Sequence, residues 1–192
     1  MLVRPSPGSR QQPVHAFRPT GGIVTGTAGL AAAAVVVVVA LGADRSATGI
    51  RVALAAALAG VLIWMVLLRP RVTAYADTLV LHNMASDTFL PLAVIESVAV
   101  RVTLHVWVDD RPYTCPGIGR SPRSMMRAQR RGAVTKGEED YASFVESTIE
   151  DLARSAQRDL LGAPPPVRRE WAVRELAASA VLALALAVSV VL

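Results

Sequence analysis

The sequence predicts a membrane α plus small β protein: three transmembrane helices and an antiparallel β-domain capped by a C-terminal helix. Three observations carry that expectation. Gly21–Gly42, Val52–Leu68 and Leu176–Leu192 are apolar blocks without a charge. Between the second and third blocks the apolar residues recur with period 2, the spacing of half-buried strands. Just before the third block, Asp140–Leu161 returns to helical i, i+3, i+4 spacing.

The composition agrees. The chain has 192 residues, 53% of them hydrophobic, and a mean hydropathy of +0.42. Outside the blocks, about Arg69–Arg169 suffices for one small domain. Of the 20 basic residues only Lys136 is a lysine, and the net charge is +5. The single cysteine, Cys115, excludes an internal disulfide and fits a reducing compartment.

Residues 1–20 are rich in Pro, Gln and Ser, carry Arg4, Arg10 and Arg18, and have no acidic residue or periodicity, so a disordered tail is expected. The block that follows, residues 21–42, is longer than the ~7–15 apolar residues of a signal peptide, so it is expected to remain as a helix. It is rich in Ala and Val, and in lipid a lone segment satisfies its backbone only as a helix. Gly22-Ile-Val-Thr-Gly26 is a GxxxG spacing that lets helices approach closely, although Ala/Gly-rich helices also contain it by chance. Residues 43–51 read as a short extracytoplasmic loop, which makes the first two spans an antiparallel hairpin. The second span is 52–68.

Orientation follows from the arginines near the span ends. Arg4, Arg10, Arg18, Arg69, Arg71, Arg168, Arg169 and Arg174 fall on one side, against Arg45 and Arg51 on the other. The N-terminus and the central domain are therefore expected in the cytoplasm and Leu192 outside it. Trp64, Arg69, Arg71 and Trp171 are the expected membrane-interface anchors.

The domain is expected over 69–161. Pro70 cannot continue a helix and disfavours α conformation at Arg69. Val72–Ala76 and Leu79–Asn83 read as a hairpin around Ala76-Asp77-Thr78, Met84–Thr88 as a loop, and Phe89-Leu90 as a short strand ended by Pro91. Val98, Val100, Val102, Leu104, Val106 and Val108 then share one parity. One strand of that length would be unusual, so either a hairpin turning near Arg101–Thr103 or a strongly bent strand is expected. Asp109-Asp110-Arg111 marks a turn and Pro112–Cys115 a last strand, for about six strands over 72–115 in a barrel or sandwich. Residues 117–137 read as a basic loop without an apolar face. On the helix, 140–161, one face carries Tyr141, Phe144, Val145, Thr148, Ile149, Leu152, Ala156 and Leu160, and Glu146 lies on the polar side. Residues 162–170, with Pro164-Pro165-Pro166, read as a linker, and 171–192 as the third span.

Arg69-Pro70-Arg71-Val72-Thr73, Asp77-x-Leu79-x-Leu81-x-Asn83, Leu90-Pro91-Leu92-x-x-Ile95-Glu96-x-Val98 and Phe144-Val145-Glu146-x-x-Ile149-Glu150-x-Leu152-Ala153 resemble one known family. It is the bacterial PH-domain family of actinobacterial membrane proteins, to which the low molecular weight protein antigen 6 PH domain is related. The resemblance spans about 67–158 and implies a PH-like antiparallel β-barrel capped by a C-terminal helix. A full PH barrel has seven strands, and Ala133-Val134-Thr135 is the remaining candidate for the seventh. Phosphoinositide-binding members carry basic residues at the first hairpin, where this chain has Asp77 and no base.

For function, the basic run is the foremost candidate. Arg120, Arg123, Arg127, Arg130 and Arg131 would share one helical face, suited to an anionic lipid surface or else to a solvated loop. Nucleic acid fits poorly, because no aromatic residues interleave the arginines. His15, His82 and His105 are too scattered for a metal site, and Cys115 has no nucleophile motif around it. No phosphate loop or paired-carboxylate motif appears, so no enzyme and no cofactor are expected. The leading expectation is a membrane-anchored PH-like module that binds a membrane or envelope protein. The alternative is an anionic-lipid-headgroup sensor.

Overall fold

The computed structural model of the chain describes residues 12–17, 22–43, 46–119, 136–160 and 162–191. They form two compact units, one apolar and helical and the other mostly β.

The helical unit contains α1 (Ile23–Ala43), α2 (Ala47–Ile63) and α4 (Val173–Val191), the last numbered after a soluble helix α3 described below. Among the described residues three helices are long and apolar enough to cross a membrane, over Ile23–Gly42, Ala47–Leu68 and Val173–Val190. This is compatible with a multi-pass membrane protein. Helix α2 lies between the other two and packs along both. The α1–α2 seam uses the small residues: a Cβ on Gly26 would lie 3.0 Å from Leu68 Cγ, and one on Gly29 3.2 Å from Ile63 Cδ1. The GxxxG spacing therefore faces the neighbouring helix, where small residues allow close approach.

The connector is shorter than expected. Ser46 caps α2, its hydroxyl accepting from the Gly49 N–H, so residues 47–51 belong to the helix. Helix α2 ends in a π-turn, Trp64–Leu68, closed by a hydrogen bond from the Arg69 N–H to the Trp64 carbonyl. Arg69 is itself α-helical (φ −73, ψ −40), contrary to the expectation from Pro70. The clash of the Pro70 ring with the Arg69 N–H and Cβ disfavours this conformation without forbidding it, and the hydrogen bond to the Trp64 carbonyl holds it here.

In the β unit six strands fall between Arg71 and Cys115: β2 (Arg71–Ala74), β3 (Thr78–His82), β4 (Ser86–Pro91), β5 (Ser97–Val100), β6 (Leu104–Val108) and β7 (Arg111–Cys115). Two further strands, β1 (His15–Phe17) and β8 (Arg168–Trp171), lie where a disordered tail and a linker are expected. The strands form two antiparallel sheets, ordered β1-β2-β3-β4-β8 and β5-β6-β7, rather than a closed barrel. Strand β4 begins at Ser86 because Asp87 pairs across the ladder with His82, which draws the expected loop into the sheet.

Parity explains the second sheet. Val100 pairs with Leu104 and Val98 with Val106 around Arg101–Thr103. An odd loop keeps even-numbered residues on one face, so Val98, Val100, Leu104, Val106 and Val108 all enter the core, while Val102 is exposed in the turn. The two-residue loop Asp109-Asp110 then switches parity, and Cys115 is buried. Both aspartates have positive φ (50 and 59), the pattern of a type I′ hairpin turn.

Helix α3 (Lys136–Arg158) packs on β5 and on the 3-10 turn Leu92–Val94. Among its described side chains Ala142, Val145, Ile149 and Ala153 are buried, while Phe144 is 52% exposed. The buried stripe is thus rotated by about one position from the one expected. The rotation brings Glu146 to the sheet, where its carboxylate accepts the Val100 N–H. Near the other end the Gln157 side chain donates to the Ile95 carbonyl at 2.9 Å.

Candidate functional site

The five arginines of the expected anionic contact, Arg120, Arg123, Arg127, Arg130 and Arg131, lie outside the described residues, as do Ala133-Val134-Thr135. Ile118 is fully buried in the domain core. On either side of it a Cβ on Gly117 would lie 2.6 Å from the Pro70 carbonyl oxygen, and one on Gly119 1.9 Å from that of Val102. Gly117-Ile118-Gly119 is therefore a tight strap that passes the start of β2 and the β5–β6 turn. The first residues of the expected basic loop belong to the core.

The expected interface anchors fall into different settings. Trp64 lies in the π-turn and is partly exposed. Arg69 has a largely buried side chain whose Nε is 3.8 Å from Glu175 Oε1 at the start of α4. Arg71 is the exposed first residue of β2. Trp171 ends β8 and is 61% exposed, as an interfacial indole would be.

Cys115 is fully buried, its Sγ 3.6 Å from the His82 carbonyl oxygen and 3.8 Å from that of Arg71. Burial pushes its thiol up to about 11, against a smaller lowering from the Gly117 backbone N–H. A thiol held neutral in this way is a packing group rather than a nucleophile. The histidines are strand residues: His82 Nδ1 contacts Asp87 Oδ1 at 3.0 Å, and His105 Nε2 contacts Thr103 Oγ1 at 3.0 Å. Among the described residues no three His, Cys, Asp or Glu side chains are grouped to hold a metal ion.

The structure also forms a cleft that sequence reasoning missed. It has a volume of about 900 Å³, within the ~300–1,000 Å³ range of ligand sites. One wall is β7, with Arg111, Tyr113 and Thr114. A second holds Asn83 and Thr88, and a third is Pro166, Val167 and Arg169, with Asp109 at the hairpin end. The Asn83 amide donates to the Thr114 carbonyl at 3.1 Å, and Arg169 Nε donates to Ser86 Oγ at 3.0 Å. Val167 also packs against the domain core, so this part of the expected linker forms a wall. No local signal marks the cleft, because its walls come from three separate segments. The chain matches no protein-family model, no curated protein and no solved structure.

Proposed function

We propose that the chain is a non-catalytic interaction module: a PH-like domain anchored at the cytoplasmic face of the cell (inner) membrane, binding a membrane or envelope protein. One observation carries this reading. A β unit with six consecutive antiparallel strands and a packed C-terminal helix lies in sequence between candidate spans, α1 and α2 before it and α4 after it. Strand β8 continues into α4 across Ala172 alone, and β2 follows the candidate span Ala47–Leu68 across Arg69 and Pro70, so both ends of the domain are tied in sequence to candidate spans. The six strands from β2 to β7 and the helix after them favour the reading as a PH-like domain, with two sheets in place of a closed barrel. The buried, neutral Cys115 agrees with a non-catalytic role.

The test is proximity labelling with the labelling enzyme inserted near Gly132, compared with a chain in which the domain is replaced by an unrelated one. The proposal expects a membrane or envelope protein enriched only with the native domain. Identical labelling from both chains would contradict it.

A second reading keeps the basic segment as an anionic-surface contact. It is favoured by the strap at Gly117-Ile118-Gly119, which anchors that segment to the domain. Photo-crosslinking of the full chain to anionic lipid in nanodiscs should fall when Arg120, Arg123, Arg127, Arg130 and Arg131 are all replaced by Ala. Unchanged crosslinking would exclude this role.

A further inference from the structure

The cleft between β7, β4 and β8 has a chemistry of its own. Arg111 and Arg169 line it from different walls, and Thr88, Tyr113 and Thr114 add hydroxyl groups. Arg111 makes no ion pair among the described residues. Arg169 has its guanidinium oriented by the bond from Nε to the buried Ser86 hydroxyl. An anion held between two guanidinium groups must accept hydrogen bonds from two directions. The coplanar oxygens of a carboxylate match a single guanidinium fork, whereas a phosphate group presents acceptors tetrahedrally.

Two further features narrow the occupant. An extended peptide finds a poor template on β7. With Asp109-Asp110 as a two-residue loop, the backbone groups of Pro112 and Thr114 face the free edge. Pro112 has no N–H, and the Thr114 carbonyl already accepts from Asn83. Asp109, at the end of the cleft, would repel a second phosphate and accept a hydrogen bond from a hydroxyl or ammonium group. The volume of about 900 Å³ leaves room for an organic group beside the phosphate.

We propose that this cleft binds a single phosphate-ester group carrying a neighbouring hydroxyl or ammonium, with Arg111 and Arg169 as its cationic contacts. The site is separate from the Ala76-Asp77-Thr78 turn and from the basic segment after Gly119, and it does not depend on the family resemblance. The same chemistry occurs in a glycerophospholipid headgroup and in a soluble phosphate ester.

The experiment has two arms, both with the full chain in a non-ionic detergent. Titration calorimetry with glycerol 3-phosphate and with phosphoethanolamine reads the soluble source. Native mass spectrometry after addition of phosphatidylglycerol or phosphatidylethanolamine reads the lipid source. Binding at one equivalent in either arm is expected, weakened at least about tenfold by R111A and by R111A/R169A, the loss of one charge-assisted hydrogen bond. R154A is the control, because Arg154 lies on α3 paired with Glu150 and Asp151. R111A alone keeps the test valid if loss of the Arg169–Ser86 bond unfolds the protein. No binding in either arm, or binding that R111A and R154A affect equally, overturns the proposal.

Discussion

Arg51, in the second turn of α2, donates from Nε to the carbonyl oxygen of Ser189 at 2.6 Å. Ser189 lies in the last turn of α4, where helix carbonyls have no partner within the helix, so the guanidinium acts as a C-cap supplied by another helix. At the opposite ends of the same two helices Arg69 meets Glu175. Helices α2 and α4 are thus pinned at both ends in antiparallel register. Arg51→Ala should lower stability in detergent by about 1–3 kcal/mol, as for a hydrogen bond to a charged group. Its effect should add to that of Glu175→Gln, because the two pins are more than about 10 Å apart along the helices. Reversible unfolding of the two single variants and the double variant tests this.

Gly119→Ala should be severely destabilising, by more than about 3 kcal/mol, because the added methyl would overlap the Val102 carbonyl. Gly42→Ala is the contrast: nothing lies within 4 Å of its Cβ position. Within helix α1 that change should be neutral or slightly stabilising. Ile118→Ala, between the two strap glycines, should cost about 2–5 kcal/mol and Ile118→Val about 0.5–1.5 kcal/mol. Thermal unfolding of the four variants provides the ranking.

How much of this was legible follows from which elements carry a repeating signal. The valines from Val98 to Val108 announce their face because a three-residue loop preserves parity across the hairpin. The strap does not, because one isoleucine between two glycines has no period. Strands β1, His15-Ala16-Phe17, and β8, Arg168-Arg169-Glu170-Trp171, are too short to show a period, and they become strands only by adding to the two outer edges of a sheet already formed. Helix α3 was legible as a helix. The depth of Glu146 was not, since its partner is a backbone N–H that no sequence pattern encodes. The cleft depends on Arg111 and Arg169 lining one cavity from separate segments, and neither arginine differs locally from a surface residue.

The Cys115 thiol gives the domain an alkaline signature. Burial pushes this thiol up to about 11 from an ordinary value of 9.0, so between those pH values the unfolded chain has lost a proton that the folded chain keeps. Stability attached to this group is therefore complete below pH 9 and declines as pH rises toward 11. The total is about 2–3 kcal/mol. Denaturant melts at pH 8 and pH 10.5 should show a larger loss for the native chain than for Cys115→Ala, which lacks the thiol. An equal loss in both would assign the alkaline sensitivity to other groups.

Asp110 occupies the second left-handed position of the β6–β7 turn. Asp110→Gly should stabilise the hairpin by a few tenths to about 1 kcal/mol, since glycine meets no Cβ penalty there. Hydrogen exchange at the backbone amides of Val106 and Val108 should slow accordingly.

In the proposed anchorage the domain shares a compartment with the N-terminus and is separated by one further span from the C-terminus. Paired compartment reporters, one inserted near Gly132 and one fused after Leu192, test this most directly. A cytoplasmic signal at Gly132 with an extracytoplasmic signal after Leu192 is the predicted result. Signals from the same compartment at both positions would contradict the three-span anchorage.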